Sequence, residues 1–204
     1  MKKKYELTDE TIEVDRHTLH RIRALKDFGD VKEGDLGGFI EKESNLSHDG
    51  NCWVGGEAKI YGYAKIFGDA KVYGNARAGG FARVYDKANV FGEAYIDGIS
   101  DIYENACVFG SASVTGEANI FGNAQIFGHA RVFASAQIYG NASVYDTAFI
   151  SGKAKIYGNA KIYDSPLISI RAKVGGDAVI CGDAFIQGNT EIINDEIVST
   201  GERK

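Results

Sequence analysis

A hydrophobic period of six constrains this chain more than any other feature. Every sixth residue from Val54 to Val198 is Val or Ile, with Ala78 the one exception among 25 positions. An amphipathic helix repeats its apolar residues at three and four, and a hairpin strand repeats them at two. A strict six matches neither and points to a repeat architecture. Two residues before each aliphatic sits a small one: from Ala58 to Thr190 that slot is alanine except at Ser100, Pro166 and Thr190. Two residues after it comes glycine in most repeats, as in GKAKIY at Gly152 and GNAKIY at Gly158. Alternate side chains of a strand point to opposite sides, so the alanine and the aliphatic point inward and their neighbours outward. Each hexad is then a very short strand and a corner. Glycine suits the corner because it takes positive φ without a Cβ penalty. Asn or Asp in the following slot (Asn105, Asn123, Asn141, Asn159, Asp177) is expected to tolerate the same region.

A second period, of 18, counts the sides. The slot after the aliphatic is aromatic in Phe67, Tyr85, Tyr103, Phe121, Tyr139 and Tyr157 (face one). It is aromatic again in Tyr73, Phe91, Phe109, Phe127, Tyr145 and Tyr163 (face two). The remaining series, Tyr61, Gly79, Asp97, Thr115, Phe133, Ser151, Ser169 and Gln187, is mostly small or polar (face three). The expected fold is all-β: a single-stranded, three-sided parallel β-helix of about eight 18-residue coils. At roughly 4.8 Å per coil it makes a rod on the order of 40 Å long.

Composition closes several other routes. Glycine, at 26 of 204 residues, is consumed by the repeat, while a single proline excludes collagen-like and proline-rich disordered chains. A net charge of −5 does not suit a general nucleic-acid binder. Cys52, Cys107 and Cys181 are odd in number and widely spaced, without a CxxC pair, which reads as free thiols in a reducing cytoplasm. The basic start Met1 to Lys4 is followed by Tyr5-Glu6-Leu7-Thr8-Asp9-Glu10 where an export signal needs an apolar run, and no segment approaches a membrane span. A cytoplasmic protein with no membrane partner, no metal and no cofactor is expected.

Residues 1–50 lack the period and are read as a cap and lead-in segment, with the solenoid over 51–204. Tyr5 to Leu7, Thr11 to Val14 and Thr18 to Arg23 read as a hairpin around Asp15-Arg16-His17. Such a lid would shield the first coil's unpaired backbone groups and apolar side chains. The stretch DFGDVKEGDLGGFIEKESNLSHDGNCWV, Asp27 to Val54, runs straight into the Gly-x-Ala-x-Ile repeats. In Asp27-Phe28, Asp30-Val31-Lys32, Gly34, Gly37-Gly38, Leu46-Ser47, Gly50 and Cys52-Trp53 it resembles the YdcK-type β-solenoid family of bacteria and their phages. The resemblance implies a hexapeptide-repeat solenoid of the left-handed class, although the general rule for parallel crossovers favours the right hand. The usual hexapeptide glycine directly follows the aliphatic, whereas here it comes one position later. Family members often carry an acyltransferase label that rests on fold, and fold alone does not establish activity.

Hexapeptide acyltransferases generally use a histidine base beside a loop that interrupts the coils, with coenzyme A between subunits. Here the register runs through 25 hexads without an insertion. His129 alone lies in the regular repeats, in a corner slot shared with Ser111 and Thr147, where a tolerated surface residue is the commoner explanation. It is the fallback catalytic residue; none is assigned. His17, His20 and His48 fall in the cap and lead-in. Lys59, Lys65, Lys71, Arg77 and Arg83 occupy five consecutive outward slots but wrap around three faces, which argues against a nucleic-acid groove. The corner acids Glu57, Glu93, Asp69, Asp177 and Glu117 are scattered and form no phosphate-like row.

The outward aromatics are the candidate interface. Stacked rings stabilise neighbouring coils, by roughly 0.2–1 kcal/mol per pair. On face two Phe91, Phe109 and Phe127 also lie beside Asn89, Cys107, Gln125 and Ser143, with no charge in either outward slot. Tyr73 and Tyr145 complete the strip, and uncharged aromatic surface of this size marks an interface. The preferred expectation is a non-catalytic scaffold that forms a homo-oligomer or binds a protein partner, including a host protein if the chain is phage-encoded. An acyl-CoA-dependent acyltransferase and an end-to-end structural polymer are the alternatives.

Overall fold

The computed structural model describes residues 3–203; the Met1-Lys2 part of the basic start and Lys204 lie outside the described residues. The chain winds as a three-sided parallel solenoid. Almost every hexad contributes a two-residue strand, such as Gln125–Ile126, and each strand pairs in parallel with the strand 18 residues on. The rod has about nine coils. The extra coil comes from the aperiodic segment, where Ile40 pairs opposite Ile60, Leu46 bridges to Ile66 and Val54 pairs opposite Val72.

The inward positions are as the period requires: Ile120, Ile126 and the aliphatic residues above and below them are fully buried in one continuous core. Alanine fills the second inward slot and is fully buried there, as at Ala118 and Ala124. Its two polar replacements are satisfied by the same short bond: Ser100 Oγ donates to Asp97 O at 2.7 Å and Thr190 Oγ1 to Gln187 O at 2.8 Å. Pro166 is tolerated because the residue in this slot serves the ladder as an acceptor. Phe149 N–H donates to Pro166 O at 2.9 Å, and no inter-coil donor is lost.

The corner is a single left-handed residue. The slot two after the aliphatic has positive φ even where it is not glycine, at Asp86, Glu104, Ala134, Asp146, Asp164 and Ile170. The expectation for the next slot needs correction: Asn105, Asn123, Asn141 and Asn159 are not left-handed. They form a ladder in which each side-chain Nδ2 donates to the next Oδ1, from Asn105 (3.3 Å) through Asn123 (3.0 Å) and Asn141 (2.9 Å) to Asn159, which ends on Asp177 Oδ1 (2.8 Å). Coil spacing, not corner conformation, selects the amide, because its donor and acceptor span one inter-strand step.

The cap is a hairpin of β1 (Tyr5–Val14) and β2 (His17–Ala24), turning at Asp15 and Arg16, both at positive φ. β3 (Leu36–Ile40) pairs antiparallel with β2 and parallel with Lys59–Ile60, so the hairpin extends face three and also covers the rod's end. Tyr5 and Ile22 join the main core, while Leu19, Phe39 and Tyr61 form a second small cluster outside face three. Lys4 plugs the end. Its buried ammonium donates to Cys52 O at 2.8 Å and Gly50 O at 3.2 Å, and lies 4.9 Å from the Phe28 ring centroid. Burial lowers the Lys4 pKa and raises that of Cys52. At the other end Glu191–Ile193, Ile197–Val198 and Glu202–Arg203 continue all three ladders. No helix among the described residues is long and apolar enough to cross a membrane.

Candidate interaction surface

Face two is the nine-stranded sheet that begins at Trp53–Val54. Its outward rings Tyr73, Phe91, Phe109, Phe127, Tyr145 and Tyr163 stack in one column, with neighbouring centroids 4.7 to 5.2 Å apart and planes within 15° of parallel. Isolated rings prefer edge contacts or larger offsets. Here the backbone ladder sets the spacing, and each ring between Tyr73 and Tyr163 has both faces covered by its neighbours. Between its ends the column therefore presents ring edges to solvent, which removes the flat platforms that bases need for stacking. Phe91, Phe109, Phe127 and Tyr145 are accordingly half-buried, while Tyr73, at the head of the column, is 40% exposed. Face one carries a matching column from Phe67 to Tyr157.

Beside the face-two rings the register places Asn89, Cys107, Gln125 and Ser143 in adjacent coils. The asparagine ladder runs along the next corner. Over the coils of Phe109, Phe127 and Tyr145 three neighbouring columns are thus uncharged, rings, small polar groups and amides, while Lys87 stands in the amide slot of the coil above. The outward column becomes basic at both ends of this patch, at Lys71 and Lys161. Lys71 Nζ is held by both oxygens of Asp30, each at 2.7 Å.

The other basic residues do separate by face. Lys59 pairs opposite Arg77, Lys65 opposite Arg83, and Lys71 stands on the third sheet. Arg83 is further neutralised by Asp101, which holds the guanidinium pKa above its ordinary value.

His129 is exposed at a corner, with its backbone N–H donating to Asp146 O at 2.7 Å. Clefts open beside Trp53 and Tyr73, between Arg77 and Tyr95, beneath His48, and among Lys153, Lys155, Arg171 and Lys173. The cap histidines have structural contacts. His17 Nδ1 lies 3.2 Å from Glu41 Oε2, His20 Nδ1 lies 3.2 Å from Thr8 O, and His48 stacks on Tyr5 at 4.3 Å. Burial holds the His48 pKa below its ordinary value. Among the described residues no group of three or more His, Cys, Asp or Glu side chains comes together to hold a metal ion.

Residues 124–136 and 136–152 each match the family described as YdcK Beta solenoid repeat. These matched coils are similar to the YdcK repeats. A stretch of 36 residues is also 47% identical to "Uncharacterized acetyltransferase YdcK" of Escherichia coli (strain K12). That stretch is 18% of this chain and 11% of the relative's length, so the similarity reaches a small part of either protein. The matched YdcK-type repeats include Phe127, Tyr145 and His129, the middle of face two and its neighbouring corner.

Two surfaces of the rod were missed by the sequence reading. Tyr63, Phe81 and Ile99, exposed by 63%, 56% and 60%, align at the corner between faces three and one, with Tyr63 and Phe81 stacked at 4.8 Å. Lys153, Lys155, Arg171 and Lys173 cluster lower on the same corner. Both groups lie in slots 18 residues apart. Reading the corner slots at that step, as was done for the ring slots, would have found them.

Proposed function

We propose that this protein is a non-catalytic scaffold whose rigid rod self-associates through face two, centred on Phe91, Phe109 and Phe127. The observation that supports this reading is the uncharged three-column patch over the coils of Phe109, Phe127 and Tyr145, rimmed by Lys71, Lys87 and Lys161, the apolar centre and polar rim of an interface. A twofold pair of rods is the simplest closed assembly that buries such a strip. Phe109→Glu places a charge at its centre without touching the core, so it should give a folded monomer. Light scattering of wild type and variant is the test. A monomeric wild type, or a variant of unchanged mass, removes self-association and leaves the strip to a foreign protein partner.

The relative's name favours a second reading, acyl transfer from acetyl-coenzyme A. Against it stands the corner of His129, where uninterrupted coils supply no loop to position a base and exclude water. Calorimetry with acetyl-coenzyme A separates the two readings. Micromolar binding that is lost in His129→Ala would favour the acyltransferase reading, and the scaffold reading expects no such binding.

A further inference from the structure

The face-two ring column ends at a vacancy. Each coil from Tyr73 to Tyr163 places a ring in the slot after the aliphatic, but in the coil above Tyr73 that slot is Gly55. Two other glycines in equivalent slots are filled by a neighbour's ring. A Cβ at Gly79 would meet Tyr61 Cε2 at 2.7 Å, and one at Gly175 would meet Tyr157 Cε2 at 2.3 Å. Gly55 is different. Its Cβ would meet nothing nearer than Trp53 Cδ1 at 3.5 Å, Trp53 Nε1 at 3.6 Å and Tyr73 Cβ at 3.7 Å, all ordinary contacts.

What stands there is a cleft of ≈ 380 Å³, lined by Asp30, Val31, Trp53, Gly55, Lys71 and Tyr73 among others. That is the size of a small-molecule site. Its floor is the outer face of Tyr73; the other face of that ring is covered by Phe91 at 4.9 Å. Trp53 forms a wall, buttressed by the edge of Phe28 at 5.4 Å. The Trp53 indole N–H makes no hydrogen bond to the described residues, so the wall holds an unused donor. Asp30 and Lys71 neutralise each other at the rim.

We propose that this cleft is a binding site for a small, neutral, planar aromatic molecule that takes the place of the missing ring. Such a ligand stacks on Tyr73 at the spacing of the column. A hydrogen-bond acceptor beside its ring meets the Trp53 N–H. Charged ligands are disfavoured because the rim pair has no net charge to offer them. The floor of the site lies two coils from Phe109, the centre of the proposed interface.

The protein has a single tryptophan, so one indole N–H resonance reports the cleft. The full chain is titrated with benzamide, a neutral planar ring with a carbonyl acceptor, and with cyclohexanecarboxamide, which keeps the carboxamide and loses the flat ring. Benzamide should shift the Trp53 resonance saturably, and the saturated ring should bind at least about tenfold more weakly. Gly55→Phe fills the slot with a ring of the chain's own and should abolish the shift while raising thermal stability. Tyr73→Leu removes only the floor ring and should weaken binding at least fivefold; it serves if Gly55→Phe does not fold. No saturable shift with benzamide, equal binding of the two probes, or undiminished binding by both Gly55→Phe and Tyr73→Leu overturns the proposal.

Discussion

Asn123 donates its side-chain N–H to Asn141 Oδ1 at 3.0 Å, and Asn141 passes the same bond on to Asn159 at 2.9 Å. Each amide uses its donor on one coil and its acceptor on the other. Asn141→Ala therefore breaks two bonds at once, leaving Asn123 without an acceptor and Asn159 without a donor. The column is exposed, so water replaces part of the loss, and about 1 kcal/mol of destabilisation is expected. Asn123→Ala combined with Asn141→Ala should cost less than the sum of the single changes, because the two share a bond. Urea denaturation of the four proteins measures both quantities.

Ile126 is fully buried and faces Val108 and Val144 in the coils on either side. Ile126→Asp places an unpaired carboxylate in that stack and should unfold the protein. Ile126→Val removes one methyl group and should cost about 1 kcal/mol with the fold retained. Circular dichroism and thermal melts check the pair; wild-type stability of the aspartate variant would refute the inward assignment.

Ile170 occupies a corner with φ of +66°, and its side chain is 50% exposed. A β-branched residue in the left-handed region is strained by about 1–3 kcal/mol, and here little burial offsets it. Ile170→Gly should raise stability by about 1 kcal/mol after the extra flexibility of the unfolded glycine is subtracted. Ile170→Ala keeps a Cβ in the same conformation and should gain less. Denaturant midpoints of the three proteins decide this.

Acid should loosen the cap. Burial keeps His48 neutral in the folded state, so below its ordinary pKa of 6.5 the unfolded chain binds a proton that the folded one resists. The stability contributed by His48 is present above pH 6.5 and is lost as pH falls through the lowered folded value. The Lys71 ammonium depresses Asp30 below its ordinary 3.8, and Lys3 depresses Glu43 below 4.5. Burial opposes ionisation of Glu41, but the Gly62 N–H and His17 outweigh it. These carboxylates contribute stability above their ordinary values that disappears as pH drops through the folded ones. The melting temperature should fall from pH 7 to 3.5. The double variant Asp30→Asn/Glu43→Gln should start lower at pH 7 and fall less.

The sequence by itself determined the rod. A period of six with two small or aliphatic inward slots leaves a strand of two residues and a corner, and a period of 18 closes three such strands into a coil. Burial of Ile120 and Ile126 and the outward stacking of Phe109 on Phe127 follow from alternation along a strand, a local property that residue order carries completely. The lead-in was legible as an aperiodic segment, but its use was not. Only the tertiary structure decided that Ile40, Leu46 and Val54 form a first coil, because the step of eight from Leu46 to Val54 breaks the period and long-range pairing sets the register. It also decided that Asn123 and its neighbours join coil to coil, since a side chain's partner 18 residues away depends on inter-strand distance. Gly55 shows the same division: a glycine in a ring slot is visible in the sequence, but whether a neighbour's ring fills the gap, as at Gly79, or leaves it open depends on where Trp53 and Val31 pack.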